Sequence, residues 1–221
     1  MKESSSNRPT EGQQMKKATG IKCVFLDIGG VLLTDGWDHL ARRRAAKNFT
    51  LEWAEMETRH QLTFEIFEEG KITLDEYLNL VVFHRKRTFT RNRFRSYMFA
   101  QSKAFPEMIE FVAQLRLKMG LKIAIVSNEA RELNAYRIGR FNLDRLADCF
   151  ISSCFVHIRK PDVEIFRLAL DIVQVRPAET VFIDNTPMFV QIAEGLGIRG
   201  ILHTDCKSTR SRLSDIGLNA G

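Results

Sequence analysis

From Pro106 onward the chain alternates short apolar runs with amphipathic segments, and this alternation restricts the fold more than any other feature. The apolar runs predict strands at Lys122–Val126, Cys149–Ser152, Thr180–Ile183 and Ile198–Leu202. Before and between these strands the apolar residues recur at helical spacing, as in Met108–Met119 and Pro161–Val173. Alternating strands and helices form parallel sheets with helices on both faces, so an α/β fold is predicted.

A further apolar run, Ile21–Leu26, predicts the first strand and ends at Asp27. The residues after it include Gly29 and Gly30, which favour a sharp turn. This places a carboxylate at the carboxyl end of a central strand, where open α/β sheets bind ligands. A carboxylate there suits a nucleophile or a metal ligand, but it equally suits the cap of a helix or turn.

Residues 37–103 show no convincing strand pattern and predict an inserted set of helices. Thr73 and Glu76 have the spacing of a capping box, which marks the start of one of these helices. The predicted organisation is a core of residues 20–36 and 104–221, interrupted by a helical domain of residues 37–103. Residues 1–19 are polar and predict a disordered tail rather than a secretory signal.

The formal net charge of +6 comes from 33 Lys and Arg against 27 Asp and Glu, a mild excess for 221 residues. It is compatible with acidic substrates such as phosphates and is not by itself a nucleic-acid signature. The arginine-rich helical insert is interpreted as a solvated face, so no nucleic-acid partner is predicted. No apolar run reaches the length of a membrane span. Four scattered cysteines favour a reduced, cytoplasmic setting, and the sequence leaves the oligomeric state open.

Polar residues follow several of the predicted strands. Asp27 ends the first strand, Ser127 and Asn128 end the second, and Asp184 ends a later one, while Lys160 precedes a predicted helix. In a parallel sheet these ends meet at one edge. Two carboxylates, a hydroxyl and an ammonium group suit a phosphoryl group together with a divalent cation such as Mg²⁺.

The order and spacing of these residues resemble the haloacid dehalogenase (HAD) superfamily. Four motifs match in order: Val-Phe-Leu-Asp27-Ile-Gly-Gly-Val, Ile-Ala-Ile-Val-Ser127-Asn, Arg-Lys160-Pro-Asp-Val-Glu-Ile-Phe and Val-Phe-Ile-Asp184-Asn-Thr-Pro. The resemblance covers nearly the whole chain from Ile21 to about Leu218. It implies a Rossmann-like three-layer core with a helical cap of the family's first type, inserted at residues 37–103.

The resemblance also implies a role for each matching residue. Asp27 matches the nucleophile, Ser127 the phosphate-binding hydroxyl, and Lys160 the lysine that neutralises nucleophile and phosphate. Asp184 matches the metal carboxylate, and it would bind Mg²⁺ together with Asp27 and the carbonyl of Gly29. Substrate binding is expected from Ser127, Lys160, Asn128, Gly29 and Gly30.

The chain departs from the family pattern in ways that bear on catalysis. Gly29 stands where family phosphatases usually have a second aspartate, which acts as general acid and base; some branches have a glycine there. Asn185 replaces the second acid of motif four, and Phe189 stands where an asparagine is common. General acid–base catalysis is typically worth about 10²–10⁴-fold, so a slow enzyme is expected unless another group substitutes. The candidates for that role are Asp35, His39, Glu129 and His157.

The sequence therefore predicts a Mg²⁺-dependent hydrolase of a small phosphomonoester that works through an aspartyl-phosphate intermediate. One alternative is a degenerate, non-catalytic member that binds a phosphorylated ligand or a protein. The other is a dehalogenase, in which Asp27 attacks carbon and no metal is needed.

Overall fold

The computed structural model describes residues 20–219 and contains one parallel five-stranded sheet in that range. The strands are β1 (Cys23–Leu26), β2 (Lys122–Ser127), β3 (Cys149–Ser152), β4 (Thr180–Asp184) and β5 (Arg199–Leu202). Their spatial order is β3-β2-β1-β4-β5, so the first strand lies in the middle. The predicted α/β fold with a Rossmann-like parallel sheet is confirmed.

The sheet is buried on both faces, as the continuous apolar strands predict. On one face Val24 and Leu26 pack against α6 (Pro106–Met119), and on the other Phe25 packs against α9 (Glu164–Val173). The pairing of β1 with both β2 and β4 brings the ends of these three strands to one edge of the sheet. This edge carries Asp27, Ser127 and Asp184.

Five helices follow β1 in the chain before α6 begins: α1 (His39–Asn48), α2 (Trp53–Gln61), α3 (Phe64–Glu68), α4 (Leu74–Val81) and α5 (Arg91–Phe99). The predicted capping box opens α4, because Thr73 and Glu76 exchange hydrogen bonds between side chain and backbone. These helices bury their own apolar cluster, which includes Tyr77 and Phe94. Ala130 and Leu133 of the core also belong to this cluster, so the helical insert packs onto the core. The domain boundaries at residues 37 and 103 stay a prediction.

The remaining helices are α7 (Arg131–Phe141), α8 (Ser153–Val156), α10 (Pro187–Gly195) and α11 (Cys206–Asp215). The expectation that Pro161 opens a helix is wrong. The helix α9 starts at Glu164, because Lys160 to Val163 form a turn in which the Asp162 carboxylate accepts the N–H of Glu164 at 2.9 Å.

The predicted disordered tail, residues 1–19, lies outside the described residues. Within residues 20–219, none of the helices combines the length and the apolar character that crossing a membrane requires.

Candidate active site

Asp27 lies at the centre of the sheet edge. Its backbone N–H donates to the carbonyl of Ile183, which continues the β1–β4 ladder by one residue. The carboxylate turns back and accepts the N–H of Ile28 at 2.9 Å. Asp27 is 9% exposed, so the group is held in place and still reaches the surface of a cavity.

Lys160 joins the two carboxylates of the sheet edge. Its Nζ donates to Oδ2 of Asp184 at 2.5 Å and lies 3.3 Å from Oδ1 of Asp27. Asp184 is also fixed through its other oxygen, which accepts the N–H of Thr186 at 2.7 Å. Lys160 and Asp184 are fully buried beneath Asp27. The structure thus brings together the side chains of motifs one, three and four.

Two further contacts fix Lys160. Nδ2 of Asn128 donates to the carbonyl of Lys160, and the backbone N–H of Lys160 donates to Oδ1 of Asn128, each at 2.8 Å. The rings of Phe182 and Phe189 lie 5.4 and 5.0 Å from Nζ, in cation–π geometry. Phe189, which replaces a common asparagine, therefore supports the lysine. The side chain of Asn128 is engaged with Lys160, and its role in substrate binding stays a prediction.

The charges of this cluster depend on burial and on each other. Burial raises the pKa of Asp27 to about 6, and Asp184 acts in the same direction, while Lys160 and the Ser127 hydroxyl oppose the shift. Burial lowers the pKa of Lys160, but the two carboxylates outweigh burial and the net shift is upward. Lys160 is therefore an ammonium group at neutral pH. The net effect is a buried cluster with one excess negative charge.

The turn after Asp27 is crowded at its two glycines. A Cβ at Gly30 would lie 1.9 Å from Nδ2 of Asn185, and Gly30 adopts a φ of +68°, so only glycine fits. A Cβ at Gly29 would lie 3.2 Å from Oδ1 of Asp35. The carboxylate of Asp35 thus lies in close contact with the position that the first side-chain atom of residue 29 would take. Burial, and then the neighbouring Asp38, raise the pKa of Asp35.

A cavity of about 240 Å³ lies between the sheet edge and the helical insert. Asp27, Gly29 and Asn128 line its core side, whereas Ser127, Lys160, Asp184 and Gly30 do not reach its surface. The insert contributes a mixed wall of aromatic and polar side chains: Trp37, Asp38, Arg42, His60, Phe64, Phe67, Glu68 and Met98. The sequence did not single out this wall, because its members are far apart in the chain.

Four residues were candidates for the missing acid and base, and their surroundings differ. Asp35 lines the cavity beside Gly29. Glu129 also lines it but is buried in an ion pair with Arg137. His39 is exposed and contacts Glu57, and Nδ1 of His157 bonds to the carbonyl of Glu69 at 2.7 Å. Neither histidine lines the cavity.

The donors at the sheet edge suit a magnesium ion. Among residues 20–219, no three side chains of His, Cys, Asp or Glu are grouped as a metal cage. The available set is two carboxylates, Asp27 and Asp184, with the nearby backbone of Gly29. Mg²⁺ takes hard oxygen ligands, uses one or two protein carboxylates, and keeps waters or phosphate oxygens in its remaining positions. The set therefore fits Mg²⁺ and does not fit an ion that needs a complete protein cage.

The model of the haloacid dehalogenase-like hydrolases matches residues 21–197. The chain belongs to this family. The matched range includes all four motifs that the sequence analysis identified.

The curated relatives that this chain matches are distant from it. A phosphorylated carbohydrates phosphatase from Thermotoga maritima is 28% identical over 193 residues, which are 83% of this chain and 87% of that protein. A glyceraldehyde 3-phosphate phosphatase from Methanothermobacter thermautotrophicus is 25% identical over 75% of this chain and 77% of that protein. Acyl-CoA dehydrogenase family member 10 from Mus musculus is 27% identical over 81% of this chain, which spans only 18% of that protein's length.

Solved HAD structures share the fold. A HAD family enzyme from Bacteroides thetaiotaomicron superposes with a TM-score of 0.74 at 21% identity, over 86% of this chain and 98% of that chain. The magnesium complex of that enzyme gives the same TM-score, over 87% of this chain and 99% of that chain. The L-2-haloacid dehalogenase of Xanthobacter autotrophicus superposes with a TM-score of 0.59 at 16% identity, over 88% of this chain and 83% of that chain. At these identities the likeness is evidence for a common fold.

Proposed function

We propose that this HAD-family protein is a Mg²⁺-dependent phosphatase of a small phosphomonoester. The observation that carries the proposal is the buried cluster of Asp27, Lys160 and Asp184 at the centre of the sheet edge, which opens through Asp27 into the cavity beneath the helical insert. The names of two relatives, phosphatases of phosphorylated carbohydrates and of glyceraldehyde 3-phosphate, support a small phosphorylated substrate. A cytoplasmic location also stays a prediction.

In the proposed reaction an oxygen of Asp27 attacks the phosphorus, and the bond from phosphorus to the leaving oxygen breaks. A water molecule then attacks the phosphorus of the aspartyl phosphate, which frees the Asp27 carboxylate and inorganic phosphate. Lys160 and the Ser127 hydroxyl stabilise negative charge on the phosphoryl oxygens. Magnesium held by Asp27, Asp184 and the carbonyl of Gly29 would supply further stabilisation of this charge and orient the phosphate.

The leaving oxygen needs a proton, and Asp35 is the group we propose for it. Its carboxylate lies next to the position that a side chain at Gly29 would occupy, and it lines the same cavity as Asp27. Asp35 would protonate the leaving oxygen and would then take the proton that the attacking water loses.

The first test of the function is turnover of p-nitrophenyl phosphate with Mg²⁺, compared with the same protein in excess EDTA. We expect turnover that is lost with EDTA and restored by added Mg²⁺. The phenolate leaving group needs little protonation, so the replacement of the usual acid by Gly29 does not prevent this reaction. Folded protein that shows no turnover in ample Mg²⁺ would contradict the phosphatase function.

The role of Asp35 predicts a dependence on the leaving group. Asp35→Asn should lower kcat/KM for an alkyl phosphate by about 100-fold, the lower end of the usual effect of a general acid. For p-nitrophenyl phosphate the loss should stay below about fivefold. The exposed Glu164→Gln serves as a matched carboxylate control, with no effect on either ester. Equal losses on both esters would show that Asp35 acts only on the structure of the turn.

A further inference from the structure

Three side chains of the helical insert form a buried chain of hydrogen bonds behind the cavity wall. The indole Nε1 of Trp37 donates to the hydroxyl oxygen of Tyr77 at 2.9 Å. The same hydroxyl lies 2.8 Å from Nδ1 of His60. Tyr77 is fully buried, whereas Trp37 and His60 are each 8% exposed and line the cavity.

The order of donors fixes the tautomer of His60. An indole N–H can only donate, so the oxygen of Tyr77 accepts from Trp37. The hydroxyl hydrogen of Tyr77 then needs an acceptor, and within residues 20–219 the structure offers it Nδ1 of His60. If Nδ1 were protonated, this hydrogen would be buried without a partner, which is costly. Nδ1 is therefore the acceptor, and the proton of the neutral ring is on Nε2.

The surroundings keep the ring of His60 neutral. Burial lowers its pKa to about 4, with a further contribution from the Arg42 guanidinium, and the opposing effect of Glu57 is smaller. The ring also packs on Phe64, with 5.5 Å between the centroids. His60 lines the cavity as a neutral ring with an N–H donor at Nε2, and the structure gives Nε2 no protein partner within the described residues.

The guanidinium groups of the cavity wall are already paired. Arg42 donates to both carboxylate oxygens of Glu57, at 2.8 Å each, and to the carbonyl of Trp37 at 2.7 Å. Arg137 is paired with Glu129. Of the carboxylates that line the same space, Glu68 is paired with Arg159, whereas Asp35 and Asp38 have no ion-pair partner among the described residues. A leaving group with its own negative charge would find no unpaired guanidinium here and would meet the carboxylates of Asp35 and Asp38.

We infer that His60 determines substrate specificity by donating a hydrogen bond from Nε2–H to an uncharged oxygen, a hydroxyl or carbonyl, of the leaving group. The inference rests on the proposed phosphatase function and names the class of leaving group that the cavity accepts. In this arrangement the phosphoryl group of the substrate is bound at Asp27, and side chains of the helical insert contact its leaving group. Trp37 and Tyr77 act as positioning residues, because they fix the tautomer of His60.

The experiment compares two esters in three proteins. Glycerol 3-phosphate has an uncharged leaving group with hydroxyls, whereas the leaving group of phenyl phosphate has no acceptor beyond its ester oxygen. His60→Asn keeps an oxygen near the position of Nδ1 for Tyr77 and lacks the distal donor. His60→Gln places an amide N–H near the position of Nε2. The measured quantity is the ratio of kcat/KM for glycerol 3-phosphate to that for phenyl phosphate.

We expect His60→Asn to lower this ratio about tenfold, the effect of one lost hydrogen bond. His60→Gln should keep it within about threefold of the unmodified protein. An unchanged ratio in His60→Asn, an equal fall in both variants, or a protein that hydrolyses phenyl phosphate but not glycerol 3-phosphate would overturn the inference. Failure of the unmodified protein on both esters, with Mg²⁺ present, would instead overturn the proposed function.

A third ester tests the charge of the leaving group. 3-Phosphoglycerate carries a carboxylate in place of the terminal alcohol of glycerol 3-phosphate. We expect its kcat/KM to be at least about tenfold lower in the unmodified protein, because Asp38 repels it and Arg42 is already paired. A preference for 3-phosphoglycerate would overturn the requirement for an uncharged group.

A spectroscopic measurement makes the inference independent of turnover. The chain has five histidines, so comparison with His60→Asn assigns the ring signals of His60 in a ¹H–¹⁵N NMR spectrum. The Nε2–H tautomer is expected in the free protein. In an Asp27→Asn background, which is expected to bind esters without cleaving them, glycerol 3-phosphate should move this N–H signal downfield, as a new hydrogen bond does, and phenyl phosphate should not. An Nδ1–H tautomer, or equal shifts with both esters, would overturn the inference.

Discussion

Asp27→Asn is expected to lower kcat/KM for p-nitrophenyl phosphate by at least about 1,000-fold, because an amide cannot replace the attacking carboxylate. The protein should stay folded. The substitution removes one of two carboxylates around Lys160 and leaves Lys160 paired with Asp184 at 2.5 Å. The excess negative charge of the buried cluster is then zero, so no unpaired buried charge is created.

The measurement has two parts. Steady-state rates are compared with those of Asp144→Asn, the same chemical change at an exposed position, which should leave the rate unchanged. Acid quenching during turnover, followed by mass spectrometry, should find a phosphoryl group on a peptide that contains Asp27. A variant that keeps more than a tenth of the rate would rule out Asp27 as the nucleophile.

The largest effect on stability is expected from Arg137→Met. Arg137 is 2% exposed and donates to the Glu129 carboxylate, to Oγ of Ser102 at 3.0 Å and to the carbonyl of Asp35 at 2.6 Å. Its removal leaves a buried carboxylate without a partner. Breaking a buried ion pair in this way costs about 3–5 kcal/mol, and we expect about 3 kcal/mol in the free energy of unfolding, measured in urea.

The matched control is the double variant Arg137→Met with Glu129→Leu. It removes both charges, so the unfolding free energy should recover by at least about 1 kcal/mol relative to the single variant. If the double variant were as unstable as the sum of the two single changes, the ion pair would not be the cause.

The pH dependence of Arg137→Met gives a further check. Burial already raises the pKa of Glu129 to about 7, with Arg137 opposing the shift, so removal of Arg137 raises this pKa further. The folded state then binds a proton more tightly than the unfolded state does. Stability therefore falls as the pH rises from the unfolded pKa of about 4.5 through the folded pKa, and the loss should be smaller at pH 5 than at pH 8.

The sequence predicted which residues meet at the sheet edge, because the apolar pattern and the parallel topology together decide their positions. Asp27, Ser127 and Asp184 each end an apolar run, and a parallel sheet brings such ends to one edge. The start of α9 and the existence of α11 were not predicted. The turn after Lys160 is set by Asp162, and α11 is opened by Asp205, whose carboxylate accepts the N–H of Ser208 at 2.7 Å.

The cavity wall could not be read from the sequence for a different reason. Tyr77 lies 40 residues from Trp37 and 17 from His60, and its ordinary apolar periodicity gives no sign of the polar contacts that join them. Arg137 bonds to the carbonyl of Asp35 across 102 residues. Such contacts depend on how α1 to α5 pack over the sheet, and this packing has no local signature in the sequence.

The close approach of Asp35 to Gly29 couples the two positions. In Gly29→Asp the new Cβ would lie 3.2 Å from Oδ1 of Asp35, so the Asp35 carboxylate would have to move by a few tenths of an ångström. The two carboxylates would also repel each other. The effect of Gly29→Asp on activity therefore depends on the residue at position 35, and we expect the effects of substitutions at these two positions not to add.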